Sequence, residues 1–209
     1  MVRLIEMVCT GNNGRSPVAE LIGRNHLAKI GAEKDFGVIS SGTRVNEIAS
    51  GKYSMGLMEQ VLNTGIERGI YSAEVTRAIR EALARQDAEA VKPYFHMTVD
   101  LFRAEEIVNR TKLLQELGVT GDIKKGKDQT VVRPEVVVIF PVDRRNREKV
   151  LAIYQETDVR PFIDVLSSFA AGYEGQEIKN TFGRGESFYR QAIQRMKVEV
   201  PIAIDKALK

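Results

Sequence analysis

A thiol and a guanidinium stand six positions apart near the start of the chain, in Cys9-Thr10-Gly11-Asn12-Asn13-Gly14-Arg15-Ser16. Cys9 is a nucleophile once ionised, and a thiol beside a helix N-terminus and an arginine is expected to ionise well below its free pKa of about 8.5. The planar fork of Arg15 suits two oxygens of a phosphoryl group at once. Ser16 is placed to donate a hydrogen bond to the thiolate. Thr10, Gly11, Asn12, Asn13 and Gly14 fill the interval with short or flexible residues whose backbone N–H groups can turn toward one anion.

Such a cradle needs a strand to end in it and a helix to start from it. Leu4-Ile5-Glu6-Met7-Val8 is a short apolar run bounded by turn residues, which reads as a buried strand. Pro17 sits where a first helical turn tolerates it, and Val18, Ala19, Leu21, Ile22, Leu27 and Ile30 follow at helical spacing. Strand, glycine-containing loop and helix together aim N–H groups and the positive end of a helix dipole into one concavity, suited to a phosphate-like dianion. A nucleotide-binding P-loop needs four residues between its glycines and then Lys-Ser/Thr, whereas Gly11 and Gly14 are two residues apart and Arg15 follows. Spacing alone leaves open a buried cysteine that merely precedes an arginine.

The flanking residues narrow this. Met7-Val8-Cys9-Thr10-Gly11-Asn12-Asn13-Gly14-Arg15-Ser16-Pro17-Val18-Ala19-Glu20 resembles the signature of the low molecular weight protein tyrosine phosphatases, Cys-x-Gly-Asn-x-x-Arg-Ser-Pro-x-Ala-Glu after an apolar strand. Ser40-Ser41-Gly42-Thr43 is similar to the family's Ser-Ala-Gly-Thr turn, and Asp143 and Asn146 match its Met-Asp-x-x-Asn, with Val142 for the methionine. The resemblance implies a phosphomonoester hydrolase of the phosphotyrosine type working through a phosphocysteine. Cys9, Arg15 and Ser16 would be catalytic, residues 10–15 would bind phosphate, and Asn12 would brace the loop. It also implies that Tyr53 lies in the segment that walls the substrate ring. Candidate cleft residues are therefore Tyr53, Asp143 and Phe182. The partner implied is a phosphorylated protein or a small aromatic phosphate ester, with no cofactor or metal.

One family element does not match. The family's proton donor is an Asp in an Asp-Pro-Tyr/Phe-Gly loop before the last helix, and the stretch Glu177-Ile178-Lys179-Asn180-Thr181-Phe182-Gly183 has Asn180 at that position. An amide cannot do general acid work. Three readings stay open: a nearby carboxylate such as Asp143, Glu174, Glu177 or Glu186 replaces the acid, the substrate has a good leaving group, or the protein is a phosphate or phosphoprotein binding module with little turnover. Arsenate reduction on this scaffold would need additional cysteines, and Cys9 is the only one.

Around these residues, strands at about 36–40, 136–140 and 162–166 alternate with helices expected at 55–63, 72–91, 101–117, 147–155 and 187–197. Gly65 is taken to end the first of these, and Pro93 the second. That order implies an α/β fold with helices on both faces of a parallel sheet. The family fold is a three-layer, four-stranded sheet of this kind, with the phosphate-binding loop after its first strand. Residues 70–133 exceed what the family needs and read as a mainly helical insertion in a single domain spanning 1–209. A lid, a dimer surface and a segment simply packed on the scaffold, with a solvated basic loop at Lys124, Lys125 and Lys127, all fit it.

Composition sets the outer limits. A length of 209 residues with 43% hydrophobic side chains is ample for one core. Net charge +3 gives no reason to propose nucleic acid, and no run approaches the ~20 apolar residues of a membrane span. One cysteine and no signal-peptide pattern fit a reducing cytoplasm. His26 and His96 are far apart in sequence and read as surface or packed residues.

Overall fold

The computed structural model describes residues 2–123, 128–170 and 172–209. The basic loop expected at Lys124, Lys125 and Lys127 lies outside them. Four strands, β1 (Arg3–Cys9), β2 (Phe36–Gly42), β3 (Val136–Pro141) and β4 (Phe162–Ile163), form one parallel sheet in the order β2-β1-β3-β4. Side chains alternate across the pleat of β1. Ile5 and Met7 enter a core with Val18, Leu21 and Leu27 of α1 (Arg15–Ile30) and Ile193, Met196 and Val200 of α7 (Glu186–Ala207). Val8 turns to the opposite face and meets Val150 and Tyr154 of α6 (Arg144–Tyr154). Helices thus cover both faces, as a parallel sheet requires.

A third cluster stands beyond the carboxyl ends of the strands. It joins α3 (Met55–Glu67), α4 (Ala73–Ala84) and α5 (Ala88–Glu116) through Met58, Leu62, Ile79, Phe95, Val99 and Phe102. A short helix, α2 (Val45–Ala49), had no counterpart in the periodicity.

Several boundaries differ from those expected. Helix α3 runs through Gly65 to Glu67, because buried Leu62 and Thr64 hold that turn. The segment 72–91 breaks at Gln86, whose φ of 56° is left-handed, and Asp87 caps α5 by accepting from the Ala90 N–H at 3.1 Å. Pro93 ends nothing: it lies inside α5, which continues for 29 residues and contains the helix expected at 101–117. Proline forfeits one i to i−4 bond there, a loss outweighed by burial of Val91, Phe95, Val99 and Phe102 along the same face. Met97, Leu101, Ile107 and Val108 on α5 are exposed. Helix α6 begins at Arg144 under an Asp143 cap rather than at 147, and α7 continues past 197 to Ala207 with Pro201 inside it. The last strand is only Phe162–Ile163, and Leu166 belongs to a 3-10 turn.

Glu6 is fully buried in the central strand, and neither carboxylate oxygen has a hydrogen-bond partner among the described residues. Burial, the largest influence, raises its pKa, opposed in part by the nearby Ser41 hydroxyl, whose own hydrogen-bond partner is Thr130 Oγ1 at 2.7 Å. The carboxyl is neutral in both folded and unfolded chains well below its ordinary value of 4.5. As pH rises through that value the unfolded chain releases the proton more readily, so stability falls. Glu6→Gln is expected to raise stability by about 1–3 kcal/mol at pH 7 and by much less at pH 4, which urea unfolding at the two pH values would check.

Candidate active site

The loop between β1 and α1 lies at the carboxyl end of the central strand, between β2 and β3, where chain connections diverge and a crevice opens. Its carbonyls are drawn outward. Cys9 O accepts from Thr43 N at 3.0 Å and Thr10 O from Arg44 N at 2.9 Å. Asn12 has a φ of 50°, a conformation asparagine tolerates better than most residues. Its fully buried side chain donates to Ser40 O at 3.3 Å, so it braces the loop from behind and does not line the cavity.

Ser54, Ser72, Asp87 and Asp143 cap the starts of α3 to α6, but α1 begins at Gly14 with no side-chain cap and no acidic residue in its first turn. Its first N–H groups are therefore without a side-chain cap, the arrangement that suits an anion. The fully buried Ser16 hydroxyl lies 2.9 Å from Cys9 Sγ, 3.0 Å from Asn12 Oδ1 and 3.1 Å from Ser41 O. It has one proton for three acceptors, and a thiolate makes the strongest claim on it.

Arg15 is 6% exposed and aimed by two partners, Asp143 Oδ2 at 2.9 Å and Ile178 O at 2.7 Å. Asp143 is itself fixed at the end of β3 through the Asn146 N–H at 2.8 Å and the Asn146 side-chain amide at 2.7 Å. Asn146 Oδ1 accepts in turn from Thr43 at 2.8 Å and stands 3.4 Å from the Thr10 hydroxyl.

Together these residues floor a cavity of about 320 Å³. Cys9, Thr10, Gly11, Asn13, Gly14 and Arg15 lie at its base, and Tyr53, Asp143, Asn180 and Phe182 line it. Of the other carboxylates considered as acids, Glu177 lines it too. Glu174 accepts from Gly172 N at 2.7 Å outside the cavity, and Glu186 pairs with Lys112 and Arg190, which hold its pKa below the ordinary value. Asn180 is exposed, and its Oδ1 lies 3.4 Å from the Phe182 N–H. His26 bonds Asp205 and His96 packs edge-on against Tyr53. Among the described residues no three His, Cys, Asp or Glu side chains group as metal ligands.

One wall was not foreseen. Helix α5 contributes Phe95, Val99, Phe102, Arg103 and Glu106, and α3 contributes Leu57 and Val61. Phe95, Val99, Phe102 and Glu106 fall at i, i+4, i+7 and i+11, a stripe legible in the sequence but obscured by ending one helix at Pro93 and starting the next at Leu101. Helix α5 also touches both functional loops. Arg110 donates to Asn13 O at 2.5 Å, and Phe102 meets Phe182 edge-on with centroids 5.5 Å apart. Phe102 lies against Gly183, whose φ of 74° and lack of a side chain permit that approach.

A sequence model described as low molecular weight phosphotyrosine protein phosphatase matches residues 4–92, which include the loop but stop short of Asp143 and Asn180. No curated protein sequence matches the chain. Among solved structures, a low molecular weight phosphotyrosine phosphatase from Vibrio cholerae O395 is 16% identical, with 99% of this chain and 97% of that one covered at a TM-score of 0.58. The YwlE arginine phosphatase from Geobacillus stearothermophilus is 16% identical over 98% and 92% of the two chains, with a TM-score of 0.54. Wzb of Vibrio vulnificus, solved with benzylphosphonate, is 14% identical over 100% and 99%, with a TM-score of 0.53.

The brace behind the loop makes a prediction. Asn12→Ala removes the bond to Ser40 O and puts a less tolerant residue at positive φ; a loss of about 2–3 kcal/mol is expected, with weaker vanadate binding. Asn12→Gly should recover about 1 kcal/mol of that by relieving the backbone alone. Thermal unfolding and vanadate titration of the two variants check this. In its four-stranded sheet and in the strand, loop and helix around Cys9 and Arg15, this chain has the fold and the N-terminal sequence pattern of the low molecular weight phosphotyrosine protein phosphatases.

Proposed function

We propose that this protein is a cysteine-dependent phosphomonoester phosphatase that works through a phosphocysteine intermediate. The observation that carries the reading is the pairing, on one cavity floor, of Cys9 Sγ under the Ser16 hydroxyl with an Arg15 guanidinium held by Asp143. In the first step Cys9 thiolate attacks phosphorus in line, while Arg15 and the loop N–H groups bind the equatorial oxygens where charge is spread. Water then cleaves the phosphocysteine and releases phosphate. No step calls on a cofactor.

The cavity wall supports a reading of the substrate class. Tyr53, Leu57, Val61, Phe95, Val99, Phe102 and Phe182 face the phosphate cradle with an apolar, partly aromatic surface. That surface suits an aryl phosphate, phosphotyrosine or a small aromatic ester, and the Wzb relative was solved with an aromatic phosphonate. The segment 70–133 is then an insertion within a single phosphatase domain that supplies much of this wall. A nucleophilic thiol of this kind is best kept in a reducing compartment such as the cytoplasm.

A second reading, a phosphate or phosphoprotein binding module with little turnover, is favoured by one observation: Asn180 lines the cavity at the place where a proton donor is expected. The two readings separate in one experiment, hydrolysis of p-nitrophenyl phosphate without added metal. Its leaving group needs little protonation, so the nucleophile alone is tested. Turnover that Cys9→Ser abolishes and Arg15→Ala lowers by about 100-fold or more is the expected result. Vanadate binding with no Cys9-dependent turnover would leave the binding module.

A further inference from the structure

Proton delivery to the leaving oxygen is the one step of the phosphatase reading without a group, since Asn180 presents an amide. Among the described residues three carboxyl side chains line the cavity: Asp143, Glu177 and Glu106. Asp143 has both oxygens engaged, Oδ2 by Arg15 at 2.9 Å and Oδ1 by two Asn146 N–H donors at 2.8 and 2.7 Å. Its geometry leaves it as the partner that aims Arg15. Glu177 is 41% exposed and accepts from the Arg144 N–H at 3.0 Å, with the Arg144 side chain 4.0 Å away.

Glu106 is held differently. It projects from α5, is 6% exposed, and lies directly over Gly14 of the phosphate-binding loop, where even a methyl group would collide with its Oε1. The Tyr189 hydroxyl of α7 donates to the same Oε1. The charged groups that act on it are Arg15 of α1 and Arg103 and Arg110 of α5, all of which favour the anion, as does Tyr189; burial outweighs them and pushes the pKa up. A carboxyl against the cradle, on the cavity lining and with one oxygen already hydrogen-bonded, has the other oxygen left to carry a proton.

Resting on the phosphatase reading, we propose that Glu106 is the general acid of this enzyme, supplied by α5 in place of the residue that Asn180 occupies. As the Sγ–P bond forms and the P–O bond breaks, the leaving oxygen keeps the electron pair and takes the Glu106 proton. The alcohol or phenol departs, and Glu106 is left as carboxylate. In the second step that carboxylate takes a proton from the attacking water, the P–S bond breaks, the thiolate is regenerated and phosphate leaves. Tyr189 is the positioning residue, holding Oε1 so that the protonated oxygen faces the substrate.

The test is kcat/KM of the full chain on p-nitrophenyl, phenyl and alkyl phosphates across pH. Cys9→Ser decides the phosphatase reading itself, by abolishing turnover on all three. Given that dependence, Glu106→Gln should lose about 100-fold or more on phenyl and alkyl phosphates, less than about 10-fold on p-nitrophenyl phosphate, and the alkaline limb of the pH profile. Glu106→Asp should restore part of the loss. A loss equal across leaving groups, or none, overturns the proposal, as does a leaving-group-dependent loss in Glu177→Gln instead. Tyr189→Phe is an independent arm should Glu106→Gln not fold: removing a donor that favours the anion shifts the alkaline limb to higher pH if Glu106 is the acid, and an unmoved limb overturns the assignment.

Discussion

Arg15 is a cation sunk almost out of water, and much of the structure around it serves to hold it there with partners. A buried guanidinium without partners would be strongly destabilising, whereas one held by a carboxylate and a carbonyl is kept charged and aimed. The carboxylate, Asp143, arrives at the end of β3, and the carbonyl, Ile178, on the loop ahead of α7. Neither can be in place unless β1 and β3 are paired in register and the 177–183 loop is folded back over them. The Val142 N–H to Val8 O bond at 2.9 Å and the Ile178 N–H to Val142 O bond at 3.2 Å make that connection.

The same need explains why so many polar side chains around the loop are buried and paired. Asn146 ties Asp143 to Thr43 and stands beside Thr10, joining the ends of β1, β2 and β3. Asn12 and Ser16 are fully buried behind the loop and spend their side chains on Ser40 O, on each other and on Cys9. A network satisfied in this way is rigid, and under the proposed phosphatase reading it would let loop N–H groups face a phosphoryl group without reorganising when it reacts.

Helices α3, α4 and α5 do a different kind of work. Their own core encloses the cleft, and α5 reaches both loops through Arg110 and Phe102. Under the proposed reading, such an apolar wall would exclude water from the reacting centre and strengthen the electrostatic contacts at its base. It also brings a carboxyl, Glu106, onto the loop between β1 and α1 from a part of the chain far from it in sequence.

Residue order alone determined the strand, loop and helix around Cys9 and Arg15, because every part of an anion cradle is local: an apolar run, two glycines, a helix start, and fixed spacing between thiol and guanidinium. The buried parallel strands were legible for the same reason, since continuous apolar runs act over a few positions, whereas Asp143 was read only as a motif position and its capping of α6 was missed. The continuity of α5 was not. Pro93 is a strong local signal against it, and burial of the Phe95, Val99 and Phe102 stripe against α3 and α4 overrides that signal only once those helices are in place. The two-residue β4 shows the reverse, a strand-like run from Phe162 to Leu166 cut short when Leu166 turned into a 3-10 segment under α7. Only the tertiary structure brought Glu106, Tyr189 and Gly14 together, since the chemistry of a buried carboxyl is decided by what surrounds it in space.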